Sequence, residues 1–238
     1  MEFIVAIDGP TSSGKSSVAN LITRQLNYKN IQTGAMFRCI AYQMLKENVR
    51  KEEIHKIKRI LKNTEIEFIN SQEKQEIYLN KRNVTEQIRS KVVTDYTSEI
   101  ASIIEIRDSL MFKQRQMARN NQIVMEGRDI GTRIFPNADI KFYLTANPKI
   151  RAIRKMKELE KNGEKIEYIE ALRSIYKWDY DAIKREIGGL KRPKGSILID
   201  TTNLEVKDLK NLMIKQILEK YTQKTNRIKE TSKYKGER

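Results

Sequence analysis

The chain has 238 residues, of which 39% are apolar, so it can form one domain with a sizeable core and is not a disordered coil. A single cysteine, Cys39, excludes an internal disulfide and is typical of a reducing compartment. No apolar run reaches the roughly 20 residues of a membrane helix, and no signal-peptide core is visible, so we expect a cytoplasmic protein without a membrane partner. The net charge of +16 has three possible explanations: nucleic-acid binding, polyphosphate ligands or a lysine-rich surface.

Hydrophobic spacing predicts the elements of the first half of the chain. In chain order we expect a buried strand over 3–7, helices over 16–26, from Thr33, and over 51–62, then two alternating strands over 65–69 and 76–79. The two alternating strands interrupt a series of helices. They therefore indicate a small inserted lobe, from about residue 63 to 93.

The second half continues the alternation of helices and buried strands. We expect a long helical stretch ending near 118, strands over 122–125, 140–144 and 196–199, a basic helical segment over 149–187, and a closing helix over 205–221. This order predicts an α/β fold with a parallel sheet covered by helices on both faces. Residues 1–222 then form a single domain, and residues 223–238 form a basic tail that we expect to be flexible.

One motif between the first strand and the first helix carries the chemistry. Residues 9–16 match the phosphate-binding pattern G-x-x-x-x-G-K-[ST] in full, with the required strand before it and helix after it. Its glycines let successive N–H groups point at phosphate oxygens, and the helix dipole adds positive potential. We expect Lys15 to bridge the β- and γ-phosphates of ATP and Ser16 to ligate Mg²⁺. The predicted ATP-binding residues are Gly9, Pro10, Thr11, Ser12, Ser13, Gly14, Lys15, Ser16 and Ser17.

A phosphate-binding loop is shared by motors, GTPases, transporter subunits and small kinases. The chain has no N-K-x-D guanine-specificity motif and no second ATPase-sized module. A compact domain with an inserted lobe favours a small kinase, because such enzymes close over both substrates to exclude water.

Four ordered segments make the chain resemble the bacterial cytidylate kinases. These segments cover residues 7–16, 33–38, 126–132 and 136–139, and the similarity extends from about Ile4 to Ile217. The resemblance implies transfer of phosphate from ATP to CMP or dCMP with Mg²⁺ and a lid over about 149–192. Nucleic acid is then not an expected partner. A monomer is the default expectation.

The resemblance also implies roles for individual residues of the acceptor site. Thr33 matches a hydroxyl residue that contacts the acceptor nucleotide, and Ser98 and Arg107 match the pair that recognises cytosine. Arg128 suits the acceptor phosphate, and Asp129 suits the ribose or the orientation of the acceptor. The implied substrate-binding set is Thr33, Arg38, Ser98, Arg107, Arg128, Asp129, Asp181 and Arg185.

The lid and the end of one strand carry the remaining implied roles. Arg151 and Arg154 fall where the family places arginines over the ATP phosphates, and an ordinary basic helix is the alternative. Glu126 could hold Mg²⁺ through water. The implied catalytic set is Lys15, Arg128, Asp129, Arg151, Arg154 and Arg185.

Ser98 and Arg107 lie nine residues apart, so a straight helix would point them in opposite directions. Both can reach one base only if the helix breaks between them. Residues Ser102 to Glu105 read as a capping box that could start a new helix, so we predict a break there.

The chain departs from the family pattern at several positions. Gln32 replaces the usual aspartate before the Thr-Gly-Ala segment, and Gly188-Gly189 replaces a Ser-Pro pair. In the second arm of the lid, Trp178 replaces an arginine and Ala182 an aspartate, with Asp181 one position away. One position rotates a helix by about 100°. We expect these changes to affect catalytic efficiency and cytosine selectivity.

Two alternative functions remain open at this level. A kinase acting on UMP or AMP would share every donor-site feature. A nucleic-acid-binding protein with a weakened nucleotide site would instead use the positive charge, and its binding would depend steeply on salt.

Overall fold

The computed structural model describes residues 1–70, 75–161 and 163–236. Its strands are β1 (Phe3–Asp8), β2 (Lys29–Gln32), β3 (Ile66–Asn70), β4 (Gln75–Leu79), β5 (Arg82–Asn83), β6 (Gln122–Gly127), β7 (Ile140–Thr145) and β8 (Ile197–Asp200). Its α-helices are α1 (Lys15–Leu26), α2 (Thr33–Lys46), α3 (Ile54–Lys62), α4 (Lys91–Ile100), α5 (Ile104–Ala118), α6 (Pro148–Lys161), α7 (Tyr168–Lys184) and α8 (Val206–Gly236). A 3₁₀ turn covers Gln87–Arg89, and a π turn covers Ile130–Ile134.

A parallel five-stranded sheet organises the fold, with strand order β2-β6-β1-β7-β8. Every residue of the central strand β1 is buried, and its side chains alternate between two apolar cores. Ile4 and Ala6 belong to the core that also contains α2, α3 and α5, whereas Phe3, Val5 and Ile7 belong to the core with α1 and α8. Helices therefore cover both faces, and the predicted α/β fold with a parallel sheet is confirmed.

The sheet order determines where a ligand can bind. β6 and β7 flank β1, so their carboxyl ends lie beside the loop that follows Asp8. In open α/β sheets, ligands bind outside the carboxyl ends of the strands. The segment after β6 and the loop after β1 therefore face the same crevice.

The inserted lobe contains an antiparallel sheet of three strands, β3-β4-β5, where the sequence predicted two. The third strand is only two residues long and too short to produce an alternating pattern. Strand β2 was also not predicted, because two of its four residues, Asn30 and Gln32, are buried polar residues. The division into domain, lobe and lid remains a prediction.

One helical prediction needs correction. The basic helical segment expected over 149–187 contains two helices, α6 and α7, and Gly163 between them has a left-handed φ of 78°. The closing helix was expected to end at Tyr221 but continues to Gly236. Lys224 explains part of this extension, since its Nζ lies 2.6 Å from Asp139 Oδ1 and donates to the carbonyl of Glu2 at 2.8 Å. Flexibility of the tail stays a prediction.

The predicted break between Ser98 and Arg107 is confirmed, because α4 ends at Ile100 and α5 begins at Ile104. The predicted capping box is wrong. The N-cap is Ile103 in an extended conformation, and the Ser102 hydroxyl donates instead to the Glu99 carbonyl at 3.5 Å. Within the described ranges, no helix is both long and apolar enough to cross a bilayer.

Candidate active site

The backbone of the loop after β1 is shaped to bind an anion. Ser12 and Gly14 have left-handed φ values of 56° and 94°, and α1 then begins without a side-chain cap. Its first amides are therefore available to a ligand. Gly9 allows the loop to pass close to β7, since a Cβ there would lie 2.2 Å from the Leu144 carbonyl oxygen. The buried Ser13 Oγ has no hydrogen-bond partner among the residues that the structure describes.

Lys15 is buried at the base of this loop. Its Nζ donates to the Pro10 carbonyl at 2.6 Å, so the side chain folds over the loop. The pKa of Lys15 is lowered to about 7, chiefly by burial and also by the nearby Arg128 charge, whereas the charges of Glu126 and Asp8 oppose the shift. A phosphate in the loop would supply the negative charge that this ammonium group needs.

Ser16 and Glu126 bring two oxygen ligands together. The Ser16 hydroxyl, in the first turn of α1, donates to Glu126 Oε1 at the end of β6 at 3.0 Å. Hydroxyl and carboxylate oxygens suit Mg²⁺, which usually keeps waters and substrate phosphates as its other ligands. In the described part of the chain, no cluster of three His, Cys, Asp or Glu residues competes as a metal site. The residues present therefore fit Mg²⁺.

Asp8, directly before the phosphate loop, contacts the segment that follows β6. Its carboxylate is fully buried and accepts hydrogen bonds from the amides of Ile130 at 2.8 Å and Gly131 at 2.7 Å. Burial raises the pKa of Asp8 to about 6, although these two hydrogen bonds oppose the shift. Sequence reasoning missed this role. The available signal was a carboxylate at the end of a fully apolar strand.

Arg128 lies against the phosphate loop. Its guanidinium donates to the Thr11 hydroxyl and, at 3.4 Å, to the Gly9 carbonyl. Burial lowers the pKa of Arg128, while the neighbouring Glu126 carboxylate opposes this shift. Arg128 is thus held against the phosphate loop, directly before Asp129 in the chain.

Helix α2 contributes two of the predicted acceptor residues. The buried Thr33 hydroxyl donates to the Glu126 carbonyl at 2.9 Å, which fixes the start of α2 against β6. Arg38 lies one turn further along α2. Burial lowers the pKa of its guanidinium, the Glu126 charge raises it, and its Nε is buried without a partner among the described residues. Both residues therefore face the Glu126 end of β6.

Arg107 and Asp129 form a buried ion pair. Arg107 Nη2 lies 3.2 Å from Asp129 Oδ2, and the two side chains are 4% and 10% exposed. The Arg107 guanidinium also lies over the Phe37 ring, 5.4 Å from its centroid. Burial raises the pKa of Asp129, an effect that Arg107 counteracts.

Ser98 does not join this pair. It is exposed, and its hydroxyl donates to the Thr94 carbonyl of its own helix at 3.5 Å. The helix break alone therefore does not bring Ser98 into contact with Arg107.

The first lid helix is attached to the phosphate loop by Arg151. Its guanidinium donates to the Thr11 carbonyl at 3.2 Å and to both carboxylate oxygens of Asp179, at 3.0 and 2.6 Å. Asp179 was not predicted as a site residue. Arg154 is placed differently, since its guanidinium donates to the hydroxyl and carbonyl of Thr201. Thr201 in turn donates to the Ser13 carbonyl at 3.0 Å.

The departures in the second lid helix have structural explanations. Trp178 packs in the small core of the lid, with the Lys155 ammonium 5.8 Å from its ring centroid. Ala182 is buried, and its carbonyl accepts the amide of Leu190 at 2.8 Å. Asp181 is exposed.

Arg185 follows the last residue of α7 and lies near the charges of Arg107 and Asp129. The pKa of Arg185 is lowered to about 10, chiefly by burial and also by the charges of Arg107 and Arg128, whereas Asp129 and Asp181 oppose the shift. The described cations of the site therefore converge on one crevice, where a phosphate would relieve their mutual repulsion.

Gln32 takes part in a polar contact rather than in the crevice. It is buried at the end of β2, and its side-chain nitrogen lies 3.5 Å from Asn20 Oδ1 on α1. This contact links the start of α2 to the helix that follows the phosphate loop.

Comparison with known proteins identifies the family. The model of the cytidylate kinase family matches residues 5–220. The cytidylate kinase of Leuconostoc mesenteroides is 41% identical over 207 residues, which are 87% of this chain and 92% of that protein. The cytidylate kinase of Caldicellulosiruptor bescii is 37% identical over 205 residues, which are 86% and 91% of the two chains.

A solved structure supports the fold alone. An uncharacterized protein from Eubacterium ventriosum superposes with a TM-score of 0.51 at 15% identity, covering 91% of this chain and 98% of that one. At this level of identity the likeness concerns only the arrangement of strands and helices. The family model, in contrast, spans the phosphate loop and all the predicted site residues, and the chain belongs to the cytidylate kinase family.

Proposed function

We propose that the chain transfers the γ-phosphoryl group of ATP to CMP, giving CDP and ADP, with dCMP as a second acceptor. One observation carries the assignment of the site. The segment from Glu126 to Asp129 touches the phosphate loop through Ser16 and Thr11 and the acceptor pair through Arg107. In the proposed enzyme, this short segment connects the donor site to the acceptor site.

The donor site requires little rearrangement to bind a triphosphate. The amides at the start of α1 would surround the β-phosphate, and Lys15 would exchange the Pro10 carbonyl for phosphate oxygens. Ser16 would hold Mg²⁺ directly, with Glu126 as its second protein contact. When bound, this ion neutralises charge on the β- and γ-phosphates.

The acceptor site offers a pattern that fits cytosine. Arg107 supplies donors, which suit the O2 and N3 acceptors of cytosine, and Asp129 supplies an acceptor, which suits the N4 amino group. Uracil has a donor at N3 and an acceptor at position 4, so it would leave buried polar groups unpaired. Such mismatches can support strong discrimination.

The chemistry requires positioning and charge more than covalent participation. Arg128 lies where it can hold the acceptor phosphate close to the phosphate loop. Arg151 belongs to the lid and contacts the loop at Thr11, so it can stabilise charge on the transferring phosphoryl group. Closure of the lid would exclude water, which would otherwise compete as acceptor.

A coupled assay for ADP formation with CMP, dCMP, UMP and AMP tests the proposal. We expect activity with CMP in wild type and a loss on the order of 10²–10³-fold or more in Lys15→Ala. Lys29→Ala, a change at an exposed lysine of β2, is the control and should retain activity.

Two results would contradict this assignment. Equal or faster turnover with AMP or UMP would exclude CMP as the preferred acceptor. Steeply salt-dependent binding of nucleic acid, with no phosphotransfer to any monophosphate, would instead favour a nucleic-acid-binding protein.

A further inference from the structure

The loop that follows the second lid helix enters the acceptor site. The Gly188 carbonyl accepts a hydrogen bond from Arg107 Nη2 at 2.9 Å, on the same nitrogen that contacts Asp129. Gly188 has a left-handed φ of 66°, and a Cβ there would lie 2.0 Å from Arg107 Nη2 and 2.3 Å from Asp129 Oδ2. The backbone of this loop therefore rests directly on the ion pair, and only glycine fits.

The loop is held in this position from both ends. On the lid side, the Leu190 amide donates to the carbonyl of Ala182, which ties the loop back to the last turn of α7. On the other side, Pro193 packs on Gly131, where a Cβ would lie 2.8 Å from the proline ring. Gly188 thus lies in a loop that runs from α7 to a contact with the π turn that follows Asp129.

This contact has a consequence for the acceptor. The Arg107 side chain is almost completely buried in this conformation, and Asp129 is nearly so. A base cannot reach both side chains while Gly188 covers them. The Gly188 carbonyl also offers Arg107 the same type of acceptor atom that a pyrimidine offers through O2 or N3.

We infer that Gly188 is an affinity-determining residue for the acceptor, whose carbonyl occupies the place of the pyrimidine until the base displaces the loop. This inference rests on the proposed function, because it assigns Arg107 and Asp129 to the base. Binding of the acceptor then requires residues 186–190 to leave the pair. The apparent Kd for the acceptor then equals the intrinsic Kd divided by the fraction of molecules in which the loop is already displaced. A small displaced fraction therefore weakens the measured binding.

A comparison of two glycine substitutions tests the inference. Gly188→Ala adds a methyl group that the covered state cannot accommodate, so the displaced state should become dominant. Gly195→Ala is the matched control, because Gly195 has a similar φ of 71° but an added Cβ would meet nothing within 4 Å. Both variants carry the same backbone cost, and only the first carries the clash.

Titration calorimetry with CMP gives the first readout. We expect Gly188→Ala to bind CMP at least about threefold more tightly than wild type, since its competent fraction rises towards one. Gly195→Ala should bind CMP like wild type. Unchanged or weaker binding of CMP by Gly188→Ala, with a melting temperature equal to that of Gly195→Ala, would overturn the inference.

Hydrogen exchange of the amides of residues 186–190 gives an independent readout. In wild type we expect slow exchange without ligand and faster exchange with saturating CMP, and this comparison needs no variant. If wild type phosphorylates no nucleoside monophosphate, the proposed function fails. The loop contact is then judged in ligand-free protein, where equal exchange in wild type and Gly188→Ala would overturn it.

Discussion

Arg151 holds Asp179 with both terminal nitrogens of its guanidinium, and the pair joins the two lid helices directly above the phosphate loop. Arg151 is almost fully buried, whereas Asp179 retains some exposure. Such a pair is sensitive to the loss of one partner, because the other charge then remains buried and uncompensated.

We therefore expect Asp179→Asn to destabilise the protein by roughly 3 kcal/mol and to lower kcat, since Arg151 would no longer be held over the loop. The control is Asp108→Asn, which removes a 2.6 Å bridge to Arg133 that is largely exposed to solvent. An exposed bridge contributes about 1 kcal/mol or less. Urea unfolding of both variants measures the difference, and equal losses would contradict a special role for the lid pair.

The lowered pKa of Lys15 leads us to predict proton uptake when ATP binds. Its pKa is about 7 in the free protein, so it is largely deprotonated at pH 8. A bound triphosphate favours the charged form and raises this pKa, and the protein must then take up a proton. At pH 5.5 the lysine is already protonated and no uptake is expected.

Calorimetry of ATP binding in buffers of different ionisation enthalpy measures this uptake. We expect the heat of ATP binding to depend clearly on the buffer at pH 8 in wild type, and this contribution of Lys15 to be absent at pH 5.5 and in Lys15→Met. A buffer dependence at pH 8 that persists in Lys15→Met would assign the proton to another group.

From the raised pKa and the hydrogen bonds of Asp8, we predict that the KM for the acceptor rises below pH 6. Its ionised carboxylate holds the amides of Ile130 and Gly131, directly after Asp129, and its pKa is about 6. Protonation removes one acceptor position, so the segment should loosen as the pH falls. Asp8→Asn should show the raised KM at every pH, because its amide NH₂ would face a backbone donor.

The stability of the protein separates this effect from acid unfolding. Because folding raises the pKa of Asp8, the folded state binds this proton more tightly than the unfolded state. The stabilisation linked to the proton is full below about pH 4 and is lost as the pH rises through 6. Melting temperatures and KM values should therefore be measured together between pH 5 and 8. A KM that stays constant over this range would contradict the role of Asp8.

From the contacts of Lys224, we predict that the end of α8 contributes to the stability of the protein. Its ammonium contacts Asp139 and the Glu2 carbonyl and lies 5.6 Å from the centroid of the Phe3 ring. We expect Lys224→Met to lower the melting temperature by about 2–4 °C, which corresponds to about 1 kcal/mol. Lys220→Met, an exposed lysine one turn earlier, is the control. Equal melting temperatures for the two variants would show that this contact does not stabilise the fold.

The sequence by itself determined the features that depend on neighbouring residues. The phosphate loop could be identified because contiguous backbone amides and the start of one helix form it. Four of the five strands of the parallel sheet followed from local apolar spacing. The break before Ile104 was predicted from the roles that the family resemblance implied for Ser98 and Arg107. The resemblance also supplied the expected roles of Thr33, Arg128 and Asp129.

The tertiary structure alone decided which of these side chains meet. Asp8 reaches amides more than 120 residues away, and Gly188 covers a pair formed by Arg107 and Asp129. Arg154 contacts Thr201 although its spacing on the lid helix equals that expected for a phosphate ligand. Such contacts depend on how distant elements pack, and a displacement of a few ångströms is enough to make or break a hydrogen bond, so no local pattern encodes them.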